Sequence, residues 1–432
     1  MTAPLRIGLA GLGTVGGGVV KIVQAHGPTI AARAGRPVEI VAISARSRQR
    51  DRGVDLSAYA WEDDPVALAR RADVDLVVEA MGGEDGPAKA TAEAALAGGK
   101  HLVTANKALL ARHGQALAER AEAASVALRF EAAVAGGIPV VKALTEGLAG
   151  NAITRVMGVM NGTCNYILTR MEAEDAPYGQ VLEEAKRLGY AEADPSVDVG
   201  GIDAAQKLAL LVAIAFGTKV DYGAITVEGI ERVSLADIEH AAELGYRIKL
   251  LGVARPSAHG VGGGLEARMQ PCLVPAASPI GQLEGVTNMV VLEGDFVGRI
   301  VMSGPGAGEG PTASAIVGDV IDVARGLVIP PFGRPAKTLA AANRVADGAP
   351  APYYLRFLVA DAPGVLAKVA AALGDAGISI NRMRQVEHAG AEAPILIVTH
   401  AAERPALDRA LGAIAGLDVC RAAPVAIRIE EI

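Results

Sequence analysis

The stretch Leu5-Arg-Ile-Gly-Leu-Ala-Gly-Leu-Gly-Thr-Val-Gly16 decides the fold of the first third of the chain. Its apolar first half predicts a strand, and the helix-like residues 17–24 follow it directly. The pattern GxGxxG between a strand and a helix lets the backbone turn tightly and present helix N-terminal amides to a pyrophosphate. The alternative is a glycine-rich turn that only joins two core elements. We interpret the stretch as a Rossmann-type dinucleotide site whose contacts are Gly11, Gly13, Thr14, Val15 and Gly16.

The next predicted strand, residues 38–43, indicates which dinucleotide binds. It ends in Ser44-Ala-Arg-Ser-Arg48, without the acidic residue that usually binds the ribose 2′-hydroxyl of NAD. Arg46 and Arg48 instead offer cations that would suit a 2′-phosphate. We therefore expect NADP as the cofactor, with NAD as the alternative if both arginines are merely solvated.

Two further strand-like segments, 73–82 and 101–107, are each followed by an Ala-rich helical segment. Strands that alternate with helices predict a parallel, doubly wound sheet, in which ligands bind beyond the carboxyl ends of the strands. Thr104 and Lys107 fall at such an end, and we assign both to the cofactor site. Lys107 could be an ordinary lysine at a helix start, but its position also favours contact with a substrate oxygen.

The acidic stretch 188–207 is the main candidate for chemistry. Asp203 and Lys207 are four residues apart in a predicted helix and therefore share one face. The loop before that helix contributes three more carboxylates: Glu192, Asp194 and Asp198. Such a cluster could bind a cationic substrate and place an ammonium beside a reacting oxygen. A charged loop followed by a surface ion pair is the competing interpretation.

Two other positions could carry chemistry. The carboxylate of Glu131 and the carbonyls of the bend at 134–138 could together bind a hard cation. Cys164 could be a nucleophile, but no histidine neighbours it in the sequence, so a small buried thiol is the favoured interpretation.

A second glycine-rich loop, Ser303-Gly-Pro-Gly-Ala-Gly308, opens another predicted helix. We expect this helix, at about 306–340, to return to the nucleotide domain and to bring Gly306 and Gly308 near the cofactor. Residues 217–303 mix apolar helices and strands and carry no catalytic motif. They predict a mixed-sheet α+β domain that also supplies a subunit interface.

The chain, at 432 residues, is long enough for about three domains. We predict an α/β protein with a nucleotide-binding domain at 1–138, a catalytic and dimerisation domain at 139–305, and a Pro/Gly-rich linker at 341–352. Residues 353–432 read as strand–helix–strand–strand–helix–strand, a small ferredoxin-like βαββαβ domain.

Composition excludes several classes of partner. No apolar run approaches the roughly 18–20 residues of a membrane span, and the formal charge of −7 argues against nucleic acid. Three cysteines without CxxC spacing indicate neither a disulfide framework nor a thiolate zinc site. The first residues enter a strand almost at once, so we expect no secretory leader and a soluble, cytoplasmic protein.

Over essentially its full length the chain resembles the homoserine dehydrogenases that carry a C-terminal ACT regulatory domain. Six motifs in the same order carry the resemblance: Gly11-Leu-Gly-Thr-Val-Gly16, Thr104-Ala-Asn-Lys107, Asn161-Gly-Thr-Cys-Asn-Tyr-Ile167, Gly189-Tyr-Ala-Glu-Ala-Asp-Pro195 with Asp198, Gly201 to Lys207, and Gly304-Pro-Gly-Ala-Gly308. The stretch Asp361-Ala-Pro-Gly-Val-Leu366 matches the turn of an ACT domain. Ser44-Ala-Arg46 departs from the family's arginine-bearing strand end, which leaves the 2′-phosphate contact open.

The resemblance implies reversible hydride transfer between NAD(P)H and L-aspartate 4-semialdehyde, which gives L-homoserine for threonine and methionine biosynthesis. It implies that Lys207 moves the hydroxyl proton, that Lys107 polarises the same oxygen, and that Asp203 holds the site. Glu192 would bind the substrate ammonium, with Asp198 as a further substrate contact.

The resemblance also implies a cation and a regulator. The expected cation is monovalent, with sodium favoured, and its implied ligands are Glu131 and the carbonyls of Val134, Gly136 and Ile138. The ACT domain implies feedback by an amino acid, with L-threonine as the expected effector, bound between ACT domains of paired subunits in a homodimer or tetramer.

Two other functions fit the residues. A semialdehyde dehydrogenase that forms a thioester on Cys164 would also use NADP and a small amino-acid aldehyde. A sensor without catalytic activity would bind nucleotide and amino acid through the same two modules.

Overall fold

The computed structural model describes residues 3–257, 264–345, 348–385 and 390–432. Its first part alternates strands and helices: β1 (Leu5–Ala10), α1 (Thr14–Ala34), β2 (Val38–Ser44), β3 (Ala60–Glu62), α2 (Pro65–Arg70), β4 (Leu76–Glu79), α3 (Pro87–Ala97), β5 (His101–Thr104), α4 (Lys107–Ala123) and β6 (Leu128–Arg129). These six strands form one sheet in the order β3-β2-β1-β4-β5-β6, and every pair in it is parallel. The predicted parallel, doubly wound sheet is confirmed.

The strand order reverses direction between β1 and β4, so a crevice opens beyond the carboxyl ends of these strands. Gly11 follows β1 at this point with a φ of +100°, and a Cβ there would lie 2.5 Å from the carbonyl oxygen of Ala80. Both the backbone conformation and the close approach require glycine.

Helix α1 begins at Thr14 and reaches Ala34, which makes it longer than the predicted 17–24. Its path is interrupted at His26, where φ is −123° and ψ is 18°, two residues before Pro28. Proline lacks a backbone N–H and crowds the preceding turn, which explains the interruption.

The second part of the chain supplies most of a larger sheet. Its elements are α5 (Val140–Lys142), β7 (Ile153–Val159), α6 (Gly162–Glu174), α7 (Tyr178–Arg187), α8 (Ser196–Val199), α9 (Ile202–Phe216), β8 (Thr226–Val227), α10 (Leu235–Glu243), β9 (Tyr246–Ser257), β10 (Gly264–Pro275), β11 (Thr287–Gly294), β12 (Gly298–Pro305) and α11 (Glu309–Ala324). Helix α9 is almost entirely buried. It packs against β7, β9 and β10 on one side and against α4 of the nucleotide domain on the other.

Helix α11 packs against α1 and β5, and it ends at Ala324, whereas we expected a helix to about residue 340. Gly326 has a φ of +82°, and the Pro330-Pro331 pair follows, so the helix cannot continue. The helix packs tightly on α1: a Cβ at Gly18 would lie 2.9 Å from the backbone oxygen of Glu309.

The C-terminal part contains β13 (Tyr353–Ala360), α12 (Val365–Asp375), β14 (Ile380–Gln385), β15 (Glu392–Thr399), α13 (Arg404–Ala415) and β16 (Val425–Ile429). The predicted βαββαβ order is confirmed, although β14 starts at Ile380, where the sequence indicated a strand at 378–380. Its four strands pair antiparallel in the order β16-β13-β15-β14.

The C-terminal strands join the strands of the second part, because β16 pairs in parallel with β10 through Cys272–Arg428 and Leu273–Ile429. Together they form one ten-stranded sheet in the order β12-β11-β7-β9-β10-β16-β13-β15-β14, with β8 paired to β10. The pairs between described strands are mixed, mostly antiparallel, as predicted for the catalytic domain.

The predicted linker is hydrogen-bonded where the structure describes it. Leu265 donates to the Asn343 carbonyl at 2.7 Å, and Val345 donates to the Leu265 carbonyl at 3.0 Å. At the far end, Ala351 and Ala402 exchange two backbone hydrogen bonds. Within the described residues, no helix combines the length and apolar character that crossing a membrane requires.

Candidate active site

A cavity of about 610 Å³ opens where the crevice of the parallel sheet faces α9 and the start of α11. It collects residues that are up to about 300 positions apart in the chain. The predicted site residues that line it are Val15, Lys107, Val134, Glu192, Asp198, Asp203, Lys207, Gly306 and Gly308.

Two lysines share one carboxylate in this cavity. The Lys207 Nζ lies 2.8 Å from Asp203 Oδ2, and the Lys107 Nζ lies 3.0 Å from Asp203 Oδ1. Lys207 also donates to the carbonyl of Met160 at 2.8 Å. An ammonium has three N–H donors, so the third donor of Lys207 remains for a ligand. Lys207 and Asp203 are each only 7% exposed, which excludes the interpretation as a surface ion pair.

The charges of this group are set by their neighbours. Burial lowers the pKa of Lys107, but the carboxylates of Asp203, Asp198 and Glu192 outweigh it and leave the pKa raised. Burial alone would raise the pKa of Asp203. The charges of Lys207 and Lys107 outweigh this effect, so the pKa of Asp203 lies well below its usual range. Asp203 is therefore a carboxylate, and Lys107 an ammonium, at neutral pH.

The start of α4 positions Lys107. Asn106 caps this helix by accepting from the Leu109 amide at 3.0 Å, and its Nδ2 donates to the Gly83 carbonyl at 2.7 Å. Thr104, which we assigned to the cofactor site, does not line the cavity. It is buried, its hydroxyl donates to Glu79 Oε2 at 2.5 Å, and its Oγ1 accepts from the Asn106 amide. Burial raises the pKa of Glu79 to about 7.

Asn161 belongs to the site although it is not among the predicted site residues. Its Nδ2 donates to Asp198 Oδ1 at 2.8 Å and to Asp203 Oδ2 at 3.1 Å. Its Oδ1 caps α6 by accepting from the Cys164 amide at 2.8 Å. An Asn before a helix is a detectable capping residue, but its bridge between two carboxylates depends on tertiary contacts.

The three carboxylates of the loop before α9 lie in different environments. Burial and the nearby Asp203 raise the pKa of Asp198, whereas the hydrogen bond that Asp198 accepts from Asn161 lowers it. Glu192 is exposed at the cavity mouth. Asp194 is also exposed and accepts from the Ser196 amide at 3.1 Å, so it stabilises the loop.

The first glycine-rich loop fits a dinucleotide phosphate. No side chain caps the N-terminus of α1 and its first turn has no acidic residue, so its amides are available to an anion. A Cβ at Gly16 would lie 1.9 Å from the Gly11 carbonyl oxygen, whereas one at Gly13 would meet nothing within 4 Å. The loop is therefore closely packed at Gly11 and Gly16 and open at Gly13, next to Thr14 and Val15.

The arginines after β2 differ in the contacts that they make with neighbouring residues. Arg46 and Arg48 are both exposed, and the Arg48 guanidinium lies 5.7 Å from the Trp61 ring centroid. Arg52, which is not among the predicted cofactor residues, lies over the same ring and donates from Nε to the Leu12 carbonyl at 2.9 Å. It therefore ties this loop to the glycine-rich turn.

The residues that we predicted as cation ligands are buried, but Glu131 has protein partners. Its Oε1 accepts from the Val141 amide at 2.9 Å and its Oε2 from the Lys142 amide at 2.8 Å. Burial, with the carboxyl of Asp319, raises the pKa of Glu131 to about 7. Val134, Gly136 and Ile138 are also buried. The described residues contain no group of three or more His, Cys, Asp or Glu side chains that could hold a metal.

Cys164 is fully buried at the start of α6, where its thiol contacts the Asp198 carbonyl at 3.2 Å. Burial and the nearby carboxylates of Asp198 and Asp203 raise its pKa well above the usual value. A thiolate nucleophile needs the opposite surroundings.

Comparison with known proteins gives the family. Residues 11–131 match the model "Homoserine dehydrogenase, NAD binding domain", residues 139–321 match "Homoserine dehydrogenase", and residues 353–418 match "ACT domain". The homoserine dehydrogenase of Neisseria gonorrhoeae is 42% identical over 440 residues, with 99% of each chain covered.

Solved structures agree. The crystal structure of a homoserine dehydrogenase from Thiobacillus denitrificans has a TM-score of 0.93 at 40% identity, with 99% of each chain covered. That of Staphylococcus aureus homoserine dehydrogenase has a TM-score of 0.77 at 30% identity and the same coverage. Two lysines and a buried carboxylate line the cavity at the crevice, and these relatives match the chain over 99% of its length. The chain therefore belongs to the homoserine dehydrogenase family, which consists of oxidoreductases that act on CH–OH groups, and it carries a C-terminal ACT domain.

Proposed function

We propose that the protein oxidises L-homoserine to L-aspartate 4-semialdehyde reversibly, with Lys207 as the proton carrier and Lys107 as the group that polarises the reacting oxygen. One observation carries this assignment: both ammoniums contact the same buried carboxylate in a cavity that reaches the dinucleotide loop. A nicotinamide cofactor bound at that loop supplies or accepts the hydride.

In the reductive direction, negative charge develops on the carbonyl oxygen of the semialdehyde. Lys107 stabilises this charge as a fixed ammonium, and Lys207 donates the proton that completes the hydroxyl. Asp203 is a positioning residue, because it holds both Nζ atoms at about hydrogen-bond distance. In the oxidative direction the neutral amine of Lys207 accepts the hydroxyl proton and becomes the ammonium again.

Substrate recognition uses the loop carboxylates. Glu192, exposed at the cavity mouth, binds the substrate ammonium, and Asp198 is the second substrate contact. Charge complementarity supports this assignment, since a primary ammonium that leaves water requires a carboxylate partner.

The cofactor assignment is NADP. Arg46 and Arg48 lie exposed beyond the end of β2, where the ribose 2′ position is bound in this fold, and guanidiniums suit a phosphate. Gly306 and Gly308 border the same cavity and complete the cofactor side.

A monovalent cation, sodium in our proposal, binds the bend at Glu131 with the carbonyls of Val134, Gly136 and Ile138. The burial of Glu131 near the carboxyl group of Asp319 supports this, because a cation would offset the charge of two acidic side chains removed from water. We assign the cation a structural function. Sodium should therefore raise the melting temperature relative to choline at equal ionic strength.

The protein acts in the cytoplasm as a homo-oligomer, and L-threonine binds between ACT domains of paired subunits. Exposed apolar side chains support subunit contacts: Phe296 is 91% exposed at the β11–β12 hairpin, and Met383 is 45% exposed on β14. The boundaries 1–138, 139–305 and 353–432 remain our proposed domains, with 341–352 between the last two.

The decisive experiment measures homoserine-dependent reduction of NAD and of NADP by purified protein, with and without threonine. Lys207→Ala should lose at least 10²-fold in kcat, because general acid–base catalysis contributes about 10²–10⁴. Full turnover by Lys207→Ala would refute the assignment. The thioester alternative predicts that Cys164→Ala is inactive and that turnover needs phosphate, whereas we expect near-normal activity without phosphate.

A further inference from the structure

Asn288 on β11 lines the cavity with an amide that has no protein partner. The residue is 2% exposed, and its Oδ1 is buried without a hydrogen-bond donor among the described residues. No described residue accepts a hydrogen bond from its Nδ2 either. A buried amide left unpaired costs about 1–3 kcal/mol, so a retained one indicates a ligand that pairs with it.

The position of this amide places it on the cofactor side of the cavity. It packs directly on Gly306, where a Cβ would come within 2.0 Å of the Asn288 Nδ2. Gly306 begins the loop that enters α11, and α11 packs against the first turns of α1 through Gly18 and Glu309. The amide therefore lies beside the glycine-rich loop that enters α11, on the wall of the cavity that also holds Val15 and the two lysines.

The chemistry of the partner follows from what the amide offers. A side-chain amide presents a donor and an acceptor side by side, and both are unpaired here. The substrate carboxylate only accepts, its ammonium only donates, and its hydroxyl is bound by the lysines. A primary carboxamide presents the matching acceptor and donor together.

We propose that Asn288 forms a paired amide–amide contact with the carboxamide of the nicotinamide ring and thereby fixes which face of the ring meets the substrate. The proposal rests on the proposed function, in which the cavity holds a nicotinamide cofactor. Asn288 is then a positioning residue that acts on the cofactor.

The test compares two cofactors by isothermal titration calorimetry without substrate: NADPH, and its analogue with 3-acetylpyridine in place of nicotinamide. The analogue keeps the carbonyl but replaces the amide NH2 by a methyl group, which leaves Oδ1 unpaired. Wild type should bind NADPH about tenfold more tightly than the analogue, the equivalent of one lost hydrogen bond at a buried site. In Asn288→Leu, a variant of similar shape, the ratio of the two Kd values should fall to about one.

Thermal unfolding separates this function from a structural one. Because Asn288 loses no protein partner, unliganded Asn288→Leu should melt at or above the wild-type temperature. Asn165→Ala is the matched control: that buried amide donates to the Gly285 carbonyl at 2.8 Å and lies outside the cavity. It should lower the melting temperature and leave the Kd ratio at its wild-type value.

Three results would overturn the proposal. An unchanged Kd ratio in Asn288→Leu would overturn it and leave the dehydrogenase function intact. A rise in the KM for homoserine with an unchanged ratio would assign the amide to the substrate carboxylate instead. A wild-type protein that neither binds NADPH nor oxidises homoserine would overturn the proposed function together with this inference.

Discussion

Replacing Asp203 by asparagine tests the shared carboxylate most directly, because it removes one charge and keeps the shape. The carboxylate lies 3.0 Å from the Lys107 Nζ and 2.8 Å from the Lys207 Nζ. At 3.0 Å and an effective dielectric constant of about 20, a single such pair interacts by about 5 kcal/mol. Lys107 is about one-third exposed, so solvent screens part of this interaction, and we expect the pKa of Lys107 to fall in the variant.

The direction of the pH effect follows from the causes of the shift. In wild type the carboxylates keep the Lys107 pKa above its usual value, so its ammonium persists through the alkaline range. Without Asp203 the burial of Lys107, which lowers its pKa, is no longer outweighed. The oxygen-polarising ammonium is then lost at lower pH, and the alkaline limb of the activity profile moves down.

The assay is kcat/KM for homoserine oxidation between about pH 7 and pH 10.5, with saturating cofactor. Asp203→Asn should lose about 10²–10³-fold at neutral pH and should show a new alkaline decline within this range. Asp198→Asn is the graded control, because Asp198 raises the Lys107 pKa less than Asp203 does. A folded Asp203→Asn variant with a wild-type profile would refute the reasoning.

Three further predictions concern other parts of the molecule. Glu192→Gln should raise the KM for homoserine about tenfold with little change in kcat, whereas Asp194→Asn in the same loop should leave KM unchanged; equal effects would show that only loop structure matters. The double variant Arg46→Ala, Arg48→Ala should raise the KM for NADP about 10–100-fold, in line with the loss of one charged hydrogen bond, while the KM for NAD stays constant. A parallel rise for NAD would contradict the 2′-phosphate contact. Asp237→Ala should destabilise the protein by about 3–5 kcal/mol in urea unfolding, because it leaves Arg356 of the ACT domain without its partner at 2.7 Å. A loss below about 1 kcal/mol would show that this contact does not hold the two domains together.

The local patterns along the chain predicted much of the fold. GxGxxG after an apolar strand requires a tight turn and a helix start, and the i,i+4 spacing of Asp203 and Lys207 depends only on helix geometry. Both features are properties of neighbouring residues, so they could be read without tertiary contacts. The same holds for the βαββαβ order of the last eighty or so residues.

Other features depended on contacts between distant residues. Nothing in the sequence near Asn288 indicates an unpaired amide, because its environment comes from Gly306 and the cavity wall. Thr104 lies at a strand end where ligands bind in this type of sheet, but its hydroxyl donates a hydrogen bond to Glu79 on the neighbouring strand. The ACT sheet joins the catalytic sheet through only two residue pairs of β10 and β16, which no strand pattern specifies.

The sequence by itself determined the family motifs, the parallel nucleotide-binding sheet and the helical face that carries Asp203 and Lys207. Only the tertiary structure decided that Lys107, about one hundred residues earlier, contacts the same carboxylate and that the cluster is buried. The physical reason is that spacing specifies the geometry of one element, whereas burial and charge depend on which elements pack together. That packing turns a charged loop and helix into a site in which two ammoniums share one carboxylate.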